Sequence, residues 1–132
     1  MPEVLPVDEA FELSVRRGAG RLEIRFRVAP GHYLYRDRLS VQRDGERLEM
    51  KALPQGTPKD DPHFGLVDVL HEGFAASILG SVGPEQFSVR YQGCAEAGFC
   101  YPPQKREFSI SSDDTSLHIS RDPRTVRAPL PF

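Results

Sequence analysis

The residues best suited to chemistry in this sequence are its two cysteines, Cys94 and Cys100, which five residues separate. A tight excursion between two strands can bring this spacing to disulfide geometry. The spacing leaves three states open: a structural disulfide in an exported protein, a redox-active pair, or two free thiols. A bridge over so short a loop would constrain the unfolded chain only weakly, which favours redox activity. The flanking Phe99 and Tyr101 would form a patch of partner-binding size if exposed.

Other kinds of site find less support in the sequence. Zinc requires three or four ligands, and the two cysteines and four histidines do not have the sequence spacing of a zinc-binding motif. No metal site is therefore expected. These histidines are His32, His63, His71 and His118. The acidic pair Asp60 and Asp61 fits either a general acid–base site or a solvated loop. Basic and acidic residues are well mixed, 17 against 19 with a net charge of −2, so nucleic acid is not an expected partner.

Alternation of apolar and polar residues with a period of two dominates the chain. It is clearest over residues 21–28, where four apolar residues alternate with charged ones, and it predicts half-buried strands. Further strands are predicted around residues 11–16, 39–41, 48–51, 67–70, 74–78, 87–92 and 108–110. Twelve prolines and eleven glycines suit many turns, and no window of 12 residues has a helical stripe. We therefore predict an all-β, immunoglobulin-like sandwich of two sheets, with a closed barrel as the alternative.

Two segments interrupt this pattern. Residues 53–65 hold three prolines, two glycines and the acidic pair, which predicts a long loop of the kind that often carries function. Residues 112–132 are polar and contain proline, so we interpret them as a linker toward an absent membrane domain or as a disordered terminus. The domain itself is assigned to residues 1–111. No apolar run approaches the ~20 residues of a membrane span.

The segment around the cysteines, residues 91–103, reads YQGCAEAGFCYPP. It resembles the signature of a known family, the N-terminal periplasmic domain of the bacterial thiol:disulfide interchange protein DsbD. Residues 31–36, 53–56 and 60–65 match that family in order and spacing, and the resemblance covers residues 8–110. It implies an immunoglobulin-like β-sandwich with a long cap loop over the active site. It also implies a periplasmic location, as a soluble domain of an inner-membrane protein.

The resemblance implies a function in thiol:disulfide interchange, as a protein-disulfide reductase. Such a domain accepts electrons from a thioredoxin-like domain of the same parent protein. It then reduces periplasmic partners, which are a disulfide isomerase and the thioredoxin-like proteins of cytochrome c maturation. No cofactor is expected, because sulfur atoms carry the electrons. The alternative is a non-catalytic binding or structural sandwich with an inert disulfide.

The family's roles can be placed on individual residues of this sequence. The resemblance assigns Cys100 to the cysteine that forms mixed disulfides with partners and Cys94 to the one that resolves them. Four aromatic residues are expected in the wall of the site: Tyr33, Tyr35, Phe99 and Tyr101. Tyr33 and Tyr35 are two residues apart and therefore share one face of a strand. His32 lies on the opposite face of that strand and is expected to be solvated.

The cap of the family usually reads acidic, acidic, aromatic, aromatic, glycine, and it lays an aromatic ring over the disulfide. The matching residues here are Asp61, Pro62, His63, Phe64 and Gly65. This sequence departs from the pattern at Pro62, in place of the second acidic residue, and at His63, in place of the shielding aromatic. The resemblance therefore leaves two candidates for the shielding ring, His63 and Phe64.

Overall fold

The structure is a computed structural model that describes residues 5–18, 21–79, 85–110 and 116–118. Short strands account for most of the described chain, together with one helical turn, α1 (Val7–Ala10), and a 3-10 turn at Arg36–Arg38. The strands are β1 (Phe11–Gly18), β2 (Arg21–Val28), β3 (His32–Tyr35), β4 (Ser40–Arg43), β5 (Glu46–Leu48), β6 (Thr57–Asp61), β7 (Gly65–Leu70), β8 (Gly73–Leu79), β9 (Glu85–Tyr91), β10 (Gly93–Ala95), β11 (Phe99–Cys100), β12 (Gln104–Ile110) and β13 (Ser116–His118). The all-β prediction is confirmed.

The strands pair antiparallel in three sheets rather than in the two predicted. The first has the order β13-β1-β2-β8 and the third the order β12-β9-β4-β5. The second, β11-β10-β3-β7-β6, contains both cysteines. None of these sheets closes on itself within the described residues, so the described strands do not form a barrel.

The main core lies between the first and third sheets. Alternate residues of β2 are buried, as the sequence pattern predicts, and the ring of Phe26 packs on Phe74 and on Tyr91 of the third sheet. Val41, Phe87 and other residues of the third sheet belong to the same buried cluster. Burial of such side chains stabilises the fold by about 1.5–3 kcal/mol each. This core fixes the strands from which the site is built.

The prediction of a continuous loop over residues 53–65 is wrong. Within it, residues Thr57–Asp61 form β6, which pairs with β7 in a hairpin whose tip is residues 62–64. Strand β6 lies at the edge of its sheet, where Pro58 is tolerated because its missing N–H faces outward. An edge strand needs no apolar alternation, and for this reason the sequence pattern did not reveal it. The cap is therefore a β-hairpin, which we call the cap hairpin (residues 57–70).

Two further segments differ from the prediction. The strand expected at residues 48–51 lies earlier, as β5, and Lys51 makes only an isolated bridge with Ser77. Within the predicted tail, β13 pairs with β1 along the edge of the first sheet. The remainder of that tail, residues 112–115 and 119–132, lies outside the described residues. No helix among the described residues is long and apolar enough to cross a membrane.

Candidate redox site

The two cysteines face each other across a short hairpin at one end of the second sheet. Cys94 in β10 is paired directly with Cys100 in β11, and their Sγ atoms are bonded at 2.12 Å. The turn between them is closed by a hydrogen bond from the Gly98 N–H to the Ala95 carbonyl at 3.0 Å. Gly98 has φ of +109°, a conformation that disfavours any residue with a side chain. The spacing predicts only that disulfide geometry can be reached, and in the structure the two cysteines form the disulfide.

The two sulfur atoms differ in accessibility. Cys94 is completely buried, whereas Cys100 is partly exposed at the surface of the domain. Attack on a disulfide requires an in-line approach to one sulfur, and the other sulfur is released. The geometry therefore favours attack on Cys100, with Cys94 as the leaving group.

The backbone of the cysteine hairpin packs directly against the backbone of β3. This close approach is possible because Gly93 has no side chain. A Cβ at this position would lie 2.3 Å from the Tyr33 carbonyl oxygen and 2.6 Å from the Phe11 ring. The close packing of β10 on β3 buries Cys94, which is paired with Tyr33 on the neighbouring strand.

A buried carboxylate lies beneath the disulfide. Asp61, at the end of β6, is 2% exposed, and its Oδ2 accepts hydrogen bonds from the hydroxyls of Tyr33 at 2.8 Å and Tyr35 at 2.7 Å. The Tyr35 hydroxyl oxygen also lies 3.0 Å from Cys94 Sγ and 3.8 Å from Cys100 Sγ. Both wall tyrosines and Asp61 are thereby joined to the sulfur pair.

These contacts change the acidity of all three groups. Burial, followed by the hydrogen bond to Asp61, raises the pKa of Tyr33 to about 12 and raises that of Tyr35 further. Burial by itself would raise the pKa of Asp61. The hydrogen bonds from Tyr35, Tyr33 and the backbone outweigh it and lower this pKa to about 2. At neutral pH the site therefore holds two neutral tyrosines and one carboxylate.

Asp61 also shapes the tip of the cap hairpin. Its Oδ1 accepts the backbone N–H groups of His63 at 2.7 Å and Phe64 at 3.0 Å, which closes an Asx-type turn. Asp60 is exposed to solvent but lies in strand β6, and Asp61 is buried, so the interpretation of the acidic pair as a solvated loop fits neither residue fully. One carboxylate thus links the turn of the cap to the tyrosines that contact the disulfide.

The two candidate lid residues occupy different positions. The ring of Phe64 packs edge-on against Tyr35 with 4.9 Å between centroids, and the guanidinium of Arg38 lies 4.5 Å above it. The side chain of His63 is exposed and forms no hydrogen bond, ion pair or ring contact with another described residue. Phe64 is therefore the aromatic ring of the cap that lies next to the site.

The predicted wall residues separate into two groups. Tyr33 and Tyr35 cluster with Cys94 and Val69. Tyr101 instead belongs to the main core, where its hydroxyl donates to the Leu5 carbonyl at 2.5 Å and burial raises its pKa. Phe99 is 42% exposed and packs on the Tyr101 ring.

The expectation that His32 is solvated is wrong. It is 6% exposed, with its ring between Phe11 and Tyr101 on the side of β3 that faces the main core. Its Nδ1 lies 3.0 Å from the Pro30 carbonyl oxygen. The face of β3 opposite the tyrosines is covered by Phe11 and Tyr101, and strand alternation by itself does not show that both faces are buried.

Sequence reasoning missed two contributors to the site. Arg38 covers Phe64 from the 3-10 turn, and no motif marked it. His71 lies 6.2 Å from the Tyr33 ring, and its Nε2 is 3.4 Å from a carboxylate oxygen of Glu96 in the disulfide hairpin. Only the folding of separate segments onto one another brings these residues to the site.

A β-sandwich whose end carries a cross-strand disulfide, with one sulfur buried and one accessible, belongs to the class of immunoglobulin-like redox domains. A family model described as "Thiol:disulfide interchange protein DsbD, N-terminal" matches residues 1–112. The chain therefore belongs to the DsbD N-terminal domain family. The resemblance inferred from the cysteine segment is confirmed.

Individual relatives agree with this assignment. The DsbD protein of Pectobacterium atrosepticum is 38% identical over 109 residues, which are 81% of this chain and 19% of that protein. The DsbD protein of Vibrio cholerae is 35% identical over 125 residues, which are 92% of this chain and 20% of that protein. The chain thus spans about a fifth of the length of these curated relatives.

Two solved structures are similar throughout the chain. The reduced N-terminal domain of Neisseria meningitidis DsbD matches with a TM-score of 0.79 and 31% identity, over 88% of this chain and 95% of that one. A complex between the DsbD and PilB N-terminal domains of the same species matches with a TM-score of 0.71 and 27% identity, over 96% and 94%. These matches confirm the predicted immunoglobulin-like fold.

Proposed function

We propose that this domain exchanges thiols and disulfides with other proteins at Cys94 and Cys100, as a protein-disulfide reductase that both accepts and donates electrons. The observation that carries the proposal is the disulfide itself, with Cys94 buried against Tyr35 and Cys100 partly exposed. A purely structural bridge has no need of a buried carboxylate and two tyrosines beneath one sulfur. The cap hairpin over the same sulfur supports a function in controlled access.

The electron donor is a thioredoxin-like domain of the parent protein, and the acceptors are periplasmic. These acceptors are a disulfide isomerase and the thioredoxin-like proteins of cytochrome c maturation. Support comes from family membership and from the structure in which a related domain is in complex with the PilB N-terminal domain. We place the exchange domain at residues 1–111 together with β13 (Ser116–His118), which pairs with β1, and in the parent protein a membrane domain follows it.

In the accepting half-reaction, a partner thiolate attacks Cys100 Sγ along the S–S axis. A bond forms between the partner sulfur and Cys100, the Cys94–Cys100 bond breaks, and Cys94 leaves with the electron pair and takes up a proton. The second thiolate of the partner then attacks the partner's first sulfur in the mixed disulfide, and Cys100 is released. Two electrons and two protons have passed to the domain, and the partner is a disulfide.

In the donating half-reaction, the Cys100 thiolate attacks an acceptor disulfide and forms a new mixed disulfide. Cys94 then loses its proton and attacks Cys100 Sγ, which expels the acceptor as a dithiol and closes the domain's bridge again. Cys94 can reach this sulfur because the two residues are paired directly across the hairpin. Each cysteine keeps one role in both directions.

The surroundings of the sulfurs keep the reduced pair unreactive until a partner docks. The Asp61 carboxylate is joined to Cys94 through the Tyr35 hydroxyl, and a second negative charge on that sulfur is disfavoured. The cysteine hairpin connects two strands, so no helix N-terminus stabilises a thiolate there. Phe64 and the cap hairpin restrict access from solvent. These features limit exchange with unrelated thiols in an oxidising compartment.

The test uses two serine variants, each incubated with the oxidised PilB N-terminal domain in excess. With Cys94→Ser, the remaining Cys100 forms a mixed disulfide that the domain cannot resolve, and mass spectrometry detects the covalent complex. With Cys100→Ser, no complex forms, because Cys94 is buried. A complex through Cys94 would reverse the assigned roles. If neither variant forms a complex and dithiothreitol does not reduce the folded wild-type domain, the bridge is inert and structural.

A further inference from the structure

We propose that a cationic pocket on the third sheet, beside the redox site, docks an acidic segment of the redox partner. The inference rests on the proposed exchange function and adds the charge of the surface that the partner must present. It concerns residues that take no part in the sulfur chemistry. We call this feature the basic pocket, and its walls include Arg38, Arg47, Arg90 and Lys105.

The basic pocket has a volume of about 370 Å³, and its four cations are opposed by one wall carboxylate, Asp37. Lys105 has a partner nearby, Glu107, at 3.2 Å. Arg47 and Arg90 have neither an ion pair nor a side-chain hydrogen bond with any described residue. The pocket therefore has uncompensated positive charge, although the whole chain has a net charge of −2.

Strand register places these charges side by side instead of spreading them. Arg90 on β9 lies directly opposite Lys105 on β12 and opposite Ser40 on β4. Like charges that face each other across an antiparallel pair are destabilising, and an acidic residue at either position would remove the repulsion. An external anion that binds between the two cations would remove it as well.

The basic pocket is continuous with the redox site. Arg38 forms part of its wall and also lies 4.5 Å above the Phe64 ring of the cap. Its lining includes Gln92 and Pro103, which lie two residues before Cys94 and three residues after Cys100. A protein whose thiol reaches Cys100 therefore extends over this pocket.

The chemistry of the walls identifies the occupant as a carboxylate-bearing protein segment. Three of the four cations are arginines, whose planar guanidinium binds carboxylates through two parallel hydrogen bonds. The pocket opens on a sheet surface and is wider than one small anion needs, so side chains of a docked protein suit it better. Complementary charge at such a place accelerates and orients docking more than it adds to affinity.

The test uses two synthetic peptides that differ only in charge. Each has the same cysteine pair, as a dithiol, joined by eight Gly and Ser residues to either six glutamates or six lysines. The spacer has a root-mean-square span of roughly 15 Å. We measure the rate at which each peptide reduces the disulfide of the wild-type chain, at low salt and in 0.5 M NaCl.

The glutamate peptide is expected to react roughly tenfold faster than the lysine peptide at low salt, despite the negative net charge of the domain. The ratio should fall toward one in 0.5 M NaCl. It should also fall with Arg90→Glu, which replaces the central cation of the pocket. A matched control, Arg21→Glu, makes the same charge change on the first sheet and should keep the ratio.

The outcomes separate this inference from the proposed function. If both peptides reduce the wild-type disulfide at equal rates, or if Arg21→Glu lowers the ratio as much as Arg90→Glu, the docking proposal is wrong and the exchange function stands. If neither peptide nor dithiothreitol reduces the folded domain, the exchange function fails, and the docking proposal fails with it.

Discussion

Asp61 is the residue on which the geometry of the site depends most. Its two oxygens accept four hydrogen bonds, two from tyrosine hydroxyls and two from the backbone of the cap tip. A buried carboxylate is costly unless such donors surround it. The same four bonds fix the Tyr35 hydroxyl beside Cys94 and the turn that places Phe64. The charge therefore has a structural role in addition to its effect on the sulfurs.

The depressed pKa of Asp61 predicts a loss of stability in acid. Its pKa is about 2 in the folded domain, against an ordinary value of 3.8, so its contribution is complete above pH 4 to 5 and disappears as the pH falls toward 2. The difference corresponds to about 2 kcal/mol of unfolding free energy. Urea unfolding at several pH values measures it.

Two variants separate this effect from the general titration of carboxyl groups. Asp61→Asn should be less stable than wild type at neutral pH and should lose this part of the pH dependence. Asp60→Asn changes the exposed neighbour and should retain it. Equal pH profiles for Asp61→Asn and wild type would show that Asp61 does not hold its charge as described.

At the scale of elements, the cap hairpin is the segment that we propose restricts access to the sulfurs. Its strands β6 and β7 attach to the second sheet through β3, and its tip places Phe64 on Tyr35. Arg38, from a different element, covers the outer face of the same ring. The cap tip is thus held by contacts with two parts of the chain, while Leu70 at the other end of the hairpin belongs to the main core.

Removal of the Phe64 ring should make the disulfide easier to reduce. An aromatic pair contributes about 0.5–1.5 kcal/mol, so Phe64→Ala should raise the rate of reduction by dithiothreitol up to roughly tenfold. His63→Ala should have a smaller effect, because its exposed side chain forms no ring contact or hydrogen bond with another described residue. Stopped-flow kinetics of both variants at one pH measure this. A larger effect of His63→Ala would identify His63 as the lid.

The second prediction for an element concerns the contact between β10 and β3. Gly93→Ala would push a Cβ into the Tyr33 carbonyl oxygen and should destabilise the domain by about 3 kcal/mol or more. Gly73→Ala is the matched control, since its Cβ would meet nothing closer than 3.6 Å and should change stability by under about 1 kcal/mol. Denaturant unfolding of both variants provides the comparison. Similar stabilities would contradict the close approach.

For the molecule as a whole, the disulfide lies outside the main core. Cys94 belongs to a small cluster with Tyr33, Tyr35 and Val69, separate from the main core between the first and third sheets. A redox domain requires this separation, because it must remain folded while its sulfur bond opens and closes.

Reduction should therefore leave the domain folded. A bridge that closes so short a loop contributes about 2 kcal/mol through the unfolded chain, less than the 5–15 kcal/mol that stabilises a typical domain. Far-UV circular dichroism should be the same in both redox states. Backbone chemical shifts should differ mainly over residues 53–65 and 93–101. Loss of the β signal on reduction would favour the structural alternative.

The sequence by itself determined the all-β class, most strand positions and the sulfur pair. Strand alternation is a local property with a period of two, and it was read correctly for β1, β2 and β9. The cysteine segment is local too, and its residue types and spacing identified the family. Both signals can be recognised in the sequence without knowing which segments contact each other in the fold.

Tertiary structure decided what surrounds the sulfurs. The burial of Asp61 and His32, the contact of Phe64 with Tyr35 and the position of Tyr101 in the main core follow from pairing between distant strands. Strand β6 was hidden because an edge strand with a polar outer face has no apolar period. The basic pocket likewise exists only because antiparallel register places Arg90 opposite Lys105. Such contacts depend on which strands become neighbours, and no local pattern encodes that choice.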